Sequence, residues 1–213
     1  MEFLSKELSS YIEKHTQGES ELLKKLSRDT QANVLMPRML SGQVQGRFLS
    51  MVSHMIRPES ILEIGTYTGY SAICLSEGLQ EGGKLYTIDV NEELETMVRK
   101  YFKEAGLEKR IDYIIGNALE VIPGLNKDFD LVFIDADKEN YLKYYHLVFD
   151  KLKKGGYIIA DNVLWSGKVA DESSKIDKDT RALMDFNDFV HQDNRVENML
   201  LPLRDGLMIL RKL

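Results

Sequence analysis

The chain has 213 residues, 43% of them hydrophobic and 29% charged, with a net charge of −6, which describes an ordinary globular protein of one generous domain. The acidic balance, with no basic block, argues against nucleic acid as a partner. The single cysteine, Cys74, excludes an internal disulfide and points to a reducing compartment. No apolar run approaches the roughly 18 residues of a membrane span and Met1 to Ser10 hold no signal-peptide core, so a cytoplasmic protein with no membrane partner is expected.

Apolar residues recur at helical spacing over residues 3–15 and 19–28, as in Leu4, Leu8, Tyr11 and Ile12 and then Leu22, Leu23 and Leu26. Two amphipathic helices with Gly18 between them are predicted. Residues 36–42 read as a loop, and a third helix over 43–56 stops at Pro58. From Ser60 the pattern becomes regular. Short apolar strands are predicted at 61–64, 84–88, 111–115, 131–134 and 157–160, with helices at 71–79, 92–105, 118–122 and 141–152 between them. Such alternation implies parallel pairing through right-handed crossovers. A last helix over 178–191 leads to a strand at 196–201, and the tight turn Arg204-Asp205-Gly206 forces the closing strand at 207–210 to run antiparallel. The chain reads as one domain, with N-terminal helices over 1–57 and an α/β core over 58–213.

Chemistry gathers at the strand ends. The first strand runs into Glu63-Ile64-Gly65-Thr66-Tyr67-Thr68-Gly69-Tyr70-Ser71, where Gly65 and Gly69 allow a sharp turn and bring a ligand close to the main chain at a helix N-terminus. Glu63, an acid inside an apolar strand, needs a partner. The second strand ends at Asp89, 24 residues after Gly65, a position from which a carboxylate accepts hydrogen bonds from ribose hydroxyls. The loop lacks the middle glycine of G-x-G-x-x-G, which favours a nucleoside ligand without phosphates over NAD. The fourth strand ends in Asp135-Ala136-Asp137-Lys138-Glu139-Asn140-Tyr141 and the fifth in Ala160-Asp161-Asn162-Val163-Leu164-Trp165. If these strands are neighbours, roughly 5 Å apart, Asp135, Asp161 and Asn162 converge. Two carboxylates and an amide oxygen are hard ligands that suit Mg²⁺, or Mn²⁺ or Ca²⁺, and the histidines show no zinc-ligand spacing.

These motifs, in this order from about Met39 to the C-terminus and with the ending Asp205-Gly206, resemble the class I S-adenosylmethionine-dependent O-methyltransferases of the metal-dependent caffeoyl-CoA/catechol type. The resemblance implies a Rossmann-like α/β methyltransferase fold. Its sheet has seven mostly parallel strands in the order 3-2-1-4-5-7-6, the last antiparallel, with helices on both faces and extra N-terminal helices, and such proteins usually form a homodimer. It implies that S-adenosylmethionine lies against Glu63, Gly65, Thr66, Ser71, Asp89 and the Asn117-Ala118 turn, with Ser41, Asp135 and Asp137 beside it. It further implies that Asp135, Asp161 and Asn162 hold the metal, that Lys138 is the general base, and that Trp165 walls the acceptor site.

The expected reaction is methyl transfer to one hydroxyl of a vicinal aromatic diol. An NAD-dependent oxidoreductase and a non-catalytic methyltransferase-like binding protein are the competing readings; the Asp135, Asp161 and Asn162 set counts against the first, and its presence together with Lys138 against the second. The N-terminal helices and a mobile loop over 165–177, with Gly167, Ser173 and Ser174, are expected to line the acceptor pocket.

Overall fold

Seven strands make one sheet of order β3-β2-β1-β4-β5-β7-β6. They are β1 (Ser60–Ile64), β2 (Lys84–Asp89), β3 (Ile111–Ile115), β4 (Phe129–Ile134), β5 (Leu152–Asp161), β6 (Val196–Leu201) and β7 (Leu207–Lys212). Every pairing is parallel except β5 with β7 and β6 with β7, as the resemblance implied. This computed structural model describes residues 4–171 and 176–213; Met1, Phe3 (the first residue of the helix expected over 3–15), and Ser173 and Ser174 of the loop expected over 165–177 lie outside the described residues. The helices are α1 (Lys6–Lys14), α2 (Glu21–Asn33), α3 (Gly42–Ile56), α4 (Tyr70–Ser76), α5 (Glu95–Glu104), α6 (Ala118–Gly124), α7 (Tyr141–Phe149) and α8 (Lys178–Gln192).

The central strands read as unbroken apolar runs because both their faces are covered. Leu62 and Ile64 of β1, Val132 and Ile134 of β4, and Ile158 and Ala160 of β5 pack with α6, α7 and α8. Ile61, Leu131, Phe133 and Ile159 pack on the other face with α2, α3, α4 and α5. Phe133 and Ile134 are fully buried, and truncating either to Ala costs about 2–5 kcal/mol.

Several boundaries moved. Helix α2 continues to Asn33 rather than ending at residue 28, because Thr30 is buried and its hydroxyl bonds Thr68 at 3.3 Å; a polar residue there serves packing. Helix α7 stops at Phe149, and Leu152, predicted as its last residue, opens β5. The stretch Lys153-Lys154-Gly155-Gly156 disguised the first half of that strand, whose register shifts opposite Phe129 and Leu131. Helix α4 ends at Ser76, short of residue 79, and a 3₁₀ turn over Glu92–Leu94 precedes α5. The loop at 36–42 contains a 3₁₀ turn over Pro37–Met39, and 3₁₀ turns run through Trp165–Ala170.

Two residues of the first crossover anchor the carboxyl edge of the sheet. Gly65 has φ +101°, and a Cβ there would lie 1.9 Å from the carbonyl oxygen of Asp135, so only glycine lets the loop rest against the end of β4. Glu63 is fully buried and accepts from Ser71 Oγ and Thr87 Oγ1, each at 2.5 Å, while Thr87 also meets Thr66 Oγ1 at 2.5 Å. This chain of hydroxyls braces the loop from below. Burial pushes the Glu63 carboxyl up to about 8; the two hydroxyl donors oppose the shift, and the nearby charges of Asp135 and Asp89 add to it.

Glu63 thus binds its proton more tightly in the fold than in the unfolded chain, where 4.5 is the ordinary value. The stabilisation this supplies is complete below that lower value and is lost as pH rises through about 8. Urea unfolding of the ligand-free protein is therefore expected to show stability falling across this window, and Glu63→Gln is expected to flatten the fall. Parallel pH profiles for wild type and variant would show that Glu63 is charged in the fold.

Candidate active site

The pairing of Ile134 with Ala160 sets Asp135 and Asp161 one step further along adjacent parallel strands. Because side chains alternate along a strand, both carboxylates leave the face to which Ile134 and Ala160 belong and turn toward the side occupied by α3 and α4. The chain then reverses direction through Asn162, whose φ of +59° is left-handed. Lys138, on a 3₁₀ turn over Lys138–Asn140, is buried between these residues. Its Nζ donates to Asp135 Oδ1 at 3.2 Å, Asn162 Oδ1 at 2.9 Å and the Tyr141 hydroxyl at 2.6 Å. Each of the three ammonium protons has an acceptor. Tyr141, itself fully buried, donates its hydroxyl hydrogen bond to the backbone carbonyl of Asp161 at 2.9 Å.

The Asp161 carboxylate is nearly enclosed. Its Oδ1 accepts from the Asn162 backbone N–H at 2.6 Å and its Oδ2 from Gln45 Nε2 at 2.5 Å. Burial, and then the negative charge of Asp135, push this carboxyl well above the usual carboxylate range. The ammonium is thus bonded by Asp135 and Asn162 and reaches Asp161 only through its field, so that two carboxyl groups stand around one positive charge, with negative charge in excess when both are ionised. An all-oxygen, net-negative donor set fits a hard divalent cation. Among the described residues no three His, Cys, Asp or Glu side chains cluster in this way; the third oxygen comes from the amide of Asn162.

Along the same edge, Asp89 accepts from the backbone N–H of Tyr67 at 2.7 Å through one oxygen and from that of Asn91 at 2.9 Å through the other. A carboxylate offers about four lone-pair sites, so both oxygens keep capacity for a ribose diol, and the position fits a nucleoside. The hydroxyls of Thr66 and Ser71 are engaged in the Glu63 and Thr87 chain. Asn117 caps α6 through the N–H of Leu119 at 3.0 Å, with Ala118 buried next to it. Ser41 is buried, and its carbonyl accepts from the Arg204 guanidinium. Asp137 is exposed, and its oxygens are turned onto α7, accepting from the Tyr144 hydroxyl at 2.5 Å and from the Asn140 amide.

Trp165 packs against the core under α6, α7 and α8, with Lys138 Nζ 5.8 Å and Lys168 Nζ 5.9 Å from its ring. Its loop is strained: Asn162, Trp165 and Ser166 are all left-handed, as is Arg204 in the facing turn. The turn between β6 and β7 holds that strain. The N–H groups of Val163, Leu164 and Ser166 donate to Gly206 O, Asp205 O and Asp205 Oδ1 at 3.1, 2.9 and 2.5 Å. At Gly206 (φ +86°) a Cβ would strike Leu164 Cγ at 2.5 Å, which explains the ending Asp205-Gly206. The structure also adds residues that the sequence reading did not single out. Tyr141 stood inside a quoted motif without a role, whereas Gln45 and Arg204 reach the site from 116 residues before and 43 residues after Asp161, with no local signal.

The profile of a family described as O-methyltransferase matches residues 10–213. The chain is 37% identical over 186 residues to a caffeoyl-CoA O-methyltransferase of Medicago sativa, covering 82% of this chain and 75% of that one. Against the caffeoyl-CoA O-methyltransferase of Petroselinum crispum the identity is 34% over 206 residues, covering 92% and 85%. Among solved structures, a SAH-bound methyltransferase of Podospora anserina superposes with a TM-score of 0.90 at 28% identity, covering 97% of this chain and 94% of that one. An O-methyltransferase of Bacillus cereus in complex with SAH gives 0.90 at 28% identity, covering 97% of each. With the sheet order and the acids at its carboxyl edge, these matches identify the family: the chain belongs to the class I S-adenosylmethionine-dependent O-methyltransferases.

Proposed function

We propose that the protein transfers the methyl group of S-adenosylmethionine to one hydroxyl of a catechol-type aromatic diol, with a divalent cation held by Asp135, Asp161 and Asn162. The observation that supports this reading is that Asp135 and Asn162 meet on Lys138 while the carboxyl of Asp161, at the end of the adjacent strand, lies close enough to feel the charges of both Asp135 and Lys138. S-adenosylmethionine, when bound, supplies an electrophilic methyl group on a sulfonium. A divalent cation, when bound, supplies the positive charge that makes a phenol near its ordinary pKa of about 10 a competent nucleophile at neutral pH.

The protein's own residues do the rest. Asp89 would hold the ribose hydroxyls, with Glu63, Gly65, Thr66 and Ser71 shaping the loop beneath the cofactor and Ser41, Ala118 and Asp137 at its borders. Lys138 is the proposed base. As an ammonium it is held by three acceptors, two of which are the proposed cation ligands. A cation committed to Asp135 and Asn162 would take from Lys138 two of the three partners that hold it as an ammonium; once its proton has passed to solvent, the neutral amine could take the acceptor's proton. Trp165 would cover one face of the aromatic ring, and alignment of oxygen, methyl carbon and sulfur supplies much of the remaining acceleration. Exposed Leu8 and Tyr11 on α1, a helix with no buried residue, support the homodimer reading; light scattering in solution tests it.

Labelled S-adenosylmethionine and a small panel of catechols test the reaction. Transfer is expected to vanish in EDTA and to return with Mg²⁺; transfer that is indifferent to EDTA would remove the cation. Asp161→Ala is expected to abolish Mg²⁺-dependent turnover while leaving cofactor binding measurable. For Lys138, replacement by Arg preserves the charge but cannot accept a proton at neutral pH. A fall in kcat of about 10²-fold or more is expected for Lys138→Arg, and near-normal kcat would reassign Lys138 as an electrostatic clamp.

A further inference from the structure

Gln45 is fully buried at the end of the first turn of α3, and its Nε2 donates to Asp161 Oδ2 at 2.5 Å across 116 residues of chain. The backbone around it is pinned. Next to it, Gly46 lies so close to α4 that a Cβ would meet Tyr70 Cε1 at 2.6 Å. On the other side of the amide, Arg204 Nη1 donates to Gln45 Oε1 at 3.3 Å and also bonds the carbonyl of Ser41. A guanidinium has donors only, so the Gln45 oxygen must face Arg204 and its NH₂ must face Asp161.

A carboxylate on an sp² torsion rotates within a broad well, and one backbone donor on Oδ1 does not fix its plane. A second donor on Oδ2 does. The residue type matters as well. A Lys or Arg at this position would form an ion pair with Asp161 and compete with a cation, and a Glu would add a third negative charge. A neutral amide orients the carboxylate and leaves its charge unspent. We infer that Gln45 is the positioning residue that sets the orientation of Asp161 toward a divalent cation, and that Arg204 locks the Gln45 amide in its donating sense. The inference rests on the cation reading above and extends it to a helix that supplies no ligand.

Mn²⁺ is the probe, titrated into the metal-free protein and followed by the electron paramagnetic resonance of free Mn²⁺, with S-adenosylhomocysteine affinity and melting temperature measured in parallel. Loss of a partner that orients a ligand typically weakens metal binding about 10–100-fold, and that range is expected for Gln45→Met, with S-adenosylhomocysteine affinity little changed. Arg204 is exposed, so Arg204→Met tests the lock in a folded background even if the buried substitution fails to fold; a smaller, several-fold weakening of Mn²⁺ binding is expected. Wild-type Mn²⁺ affinity in the folded variants would overturn the assignment of Gln45 and Arg204 and leave the cation reading standing. A wild-type protein that binds no Mn²⁺ would overturn both.

Discussion

The site depends on one backbone constraint, the parallel pairing of β4 with β5. Register places Ile134 beside Ala160, and the next residue of each strand is an aspartate that the fold must hold against its neighbour's charge. The strands can bear this because they are anchored by fully buried side chains on both faces, Phe133 and Ile159 on one and Ile134 and Ile158 on the other. Moving one carboxylate away from the other would shift a strand in the middle of the sheet. Repulsion is met by the Lys138 ammonium and by donors to Asp161.

The two buried acids, Glu63 and Asp161, meet different fates for a physical reason. Glu63 has only hydroxyl partners, which can accept as well as donate, so the carboxyl can remain protonated and act as a brace under the glycine loop. Asp161 has N–H donors on both oxygens and an ammonium close by. These partners favour a charged carboxylate, while burial and Asp135 oppose it. One acid therefore serves the loop, and the other is surrounded by groups that favour its charged form.

The wall of the site is built from strained backbone. Left-handed Asn162, Trp165 and Ser166 are held by the β6–β7 turn, itself containing left-handed Arg204. Such conformations persist where surrounding contacts over-determine them. Here the C-terminal hairpin both closes the sheet and fixes the approach to Lys138, while α3 reaches the same point from the N-terminal side through Gln45.

Strand positions, their parallel order and the acids at the strand ends were legible in the sequence, because apolar runs and strand-end charges are local patterns. Asp89, Asp135, Asp161 and Asn162 could be placed at strand ends from strand periodicity alone, whereas the roles proposed for Lys138 and Trp165 rest on the family's motif. The overlong prediction for α7 and the truncated one for β5 were also local failures, since Lys153-Lys154-Gly155-Gly156 does not look like strand. Only the tertiary structure decided that Lys138 donates to Asp135, Asn162 and Tyr141 at once, that Asp137 turns onto α7, and that Gln45 and Arg204 hold Asp161 from opposite ends of the chain. Spacing in a sequence reports which backbone atoms are near one another along the chain; which side chain fills the last hydrogen bond of a buried carboxylate is settled by packing between elements far apart in it.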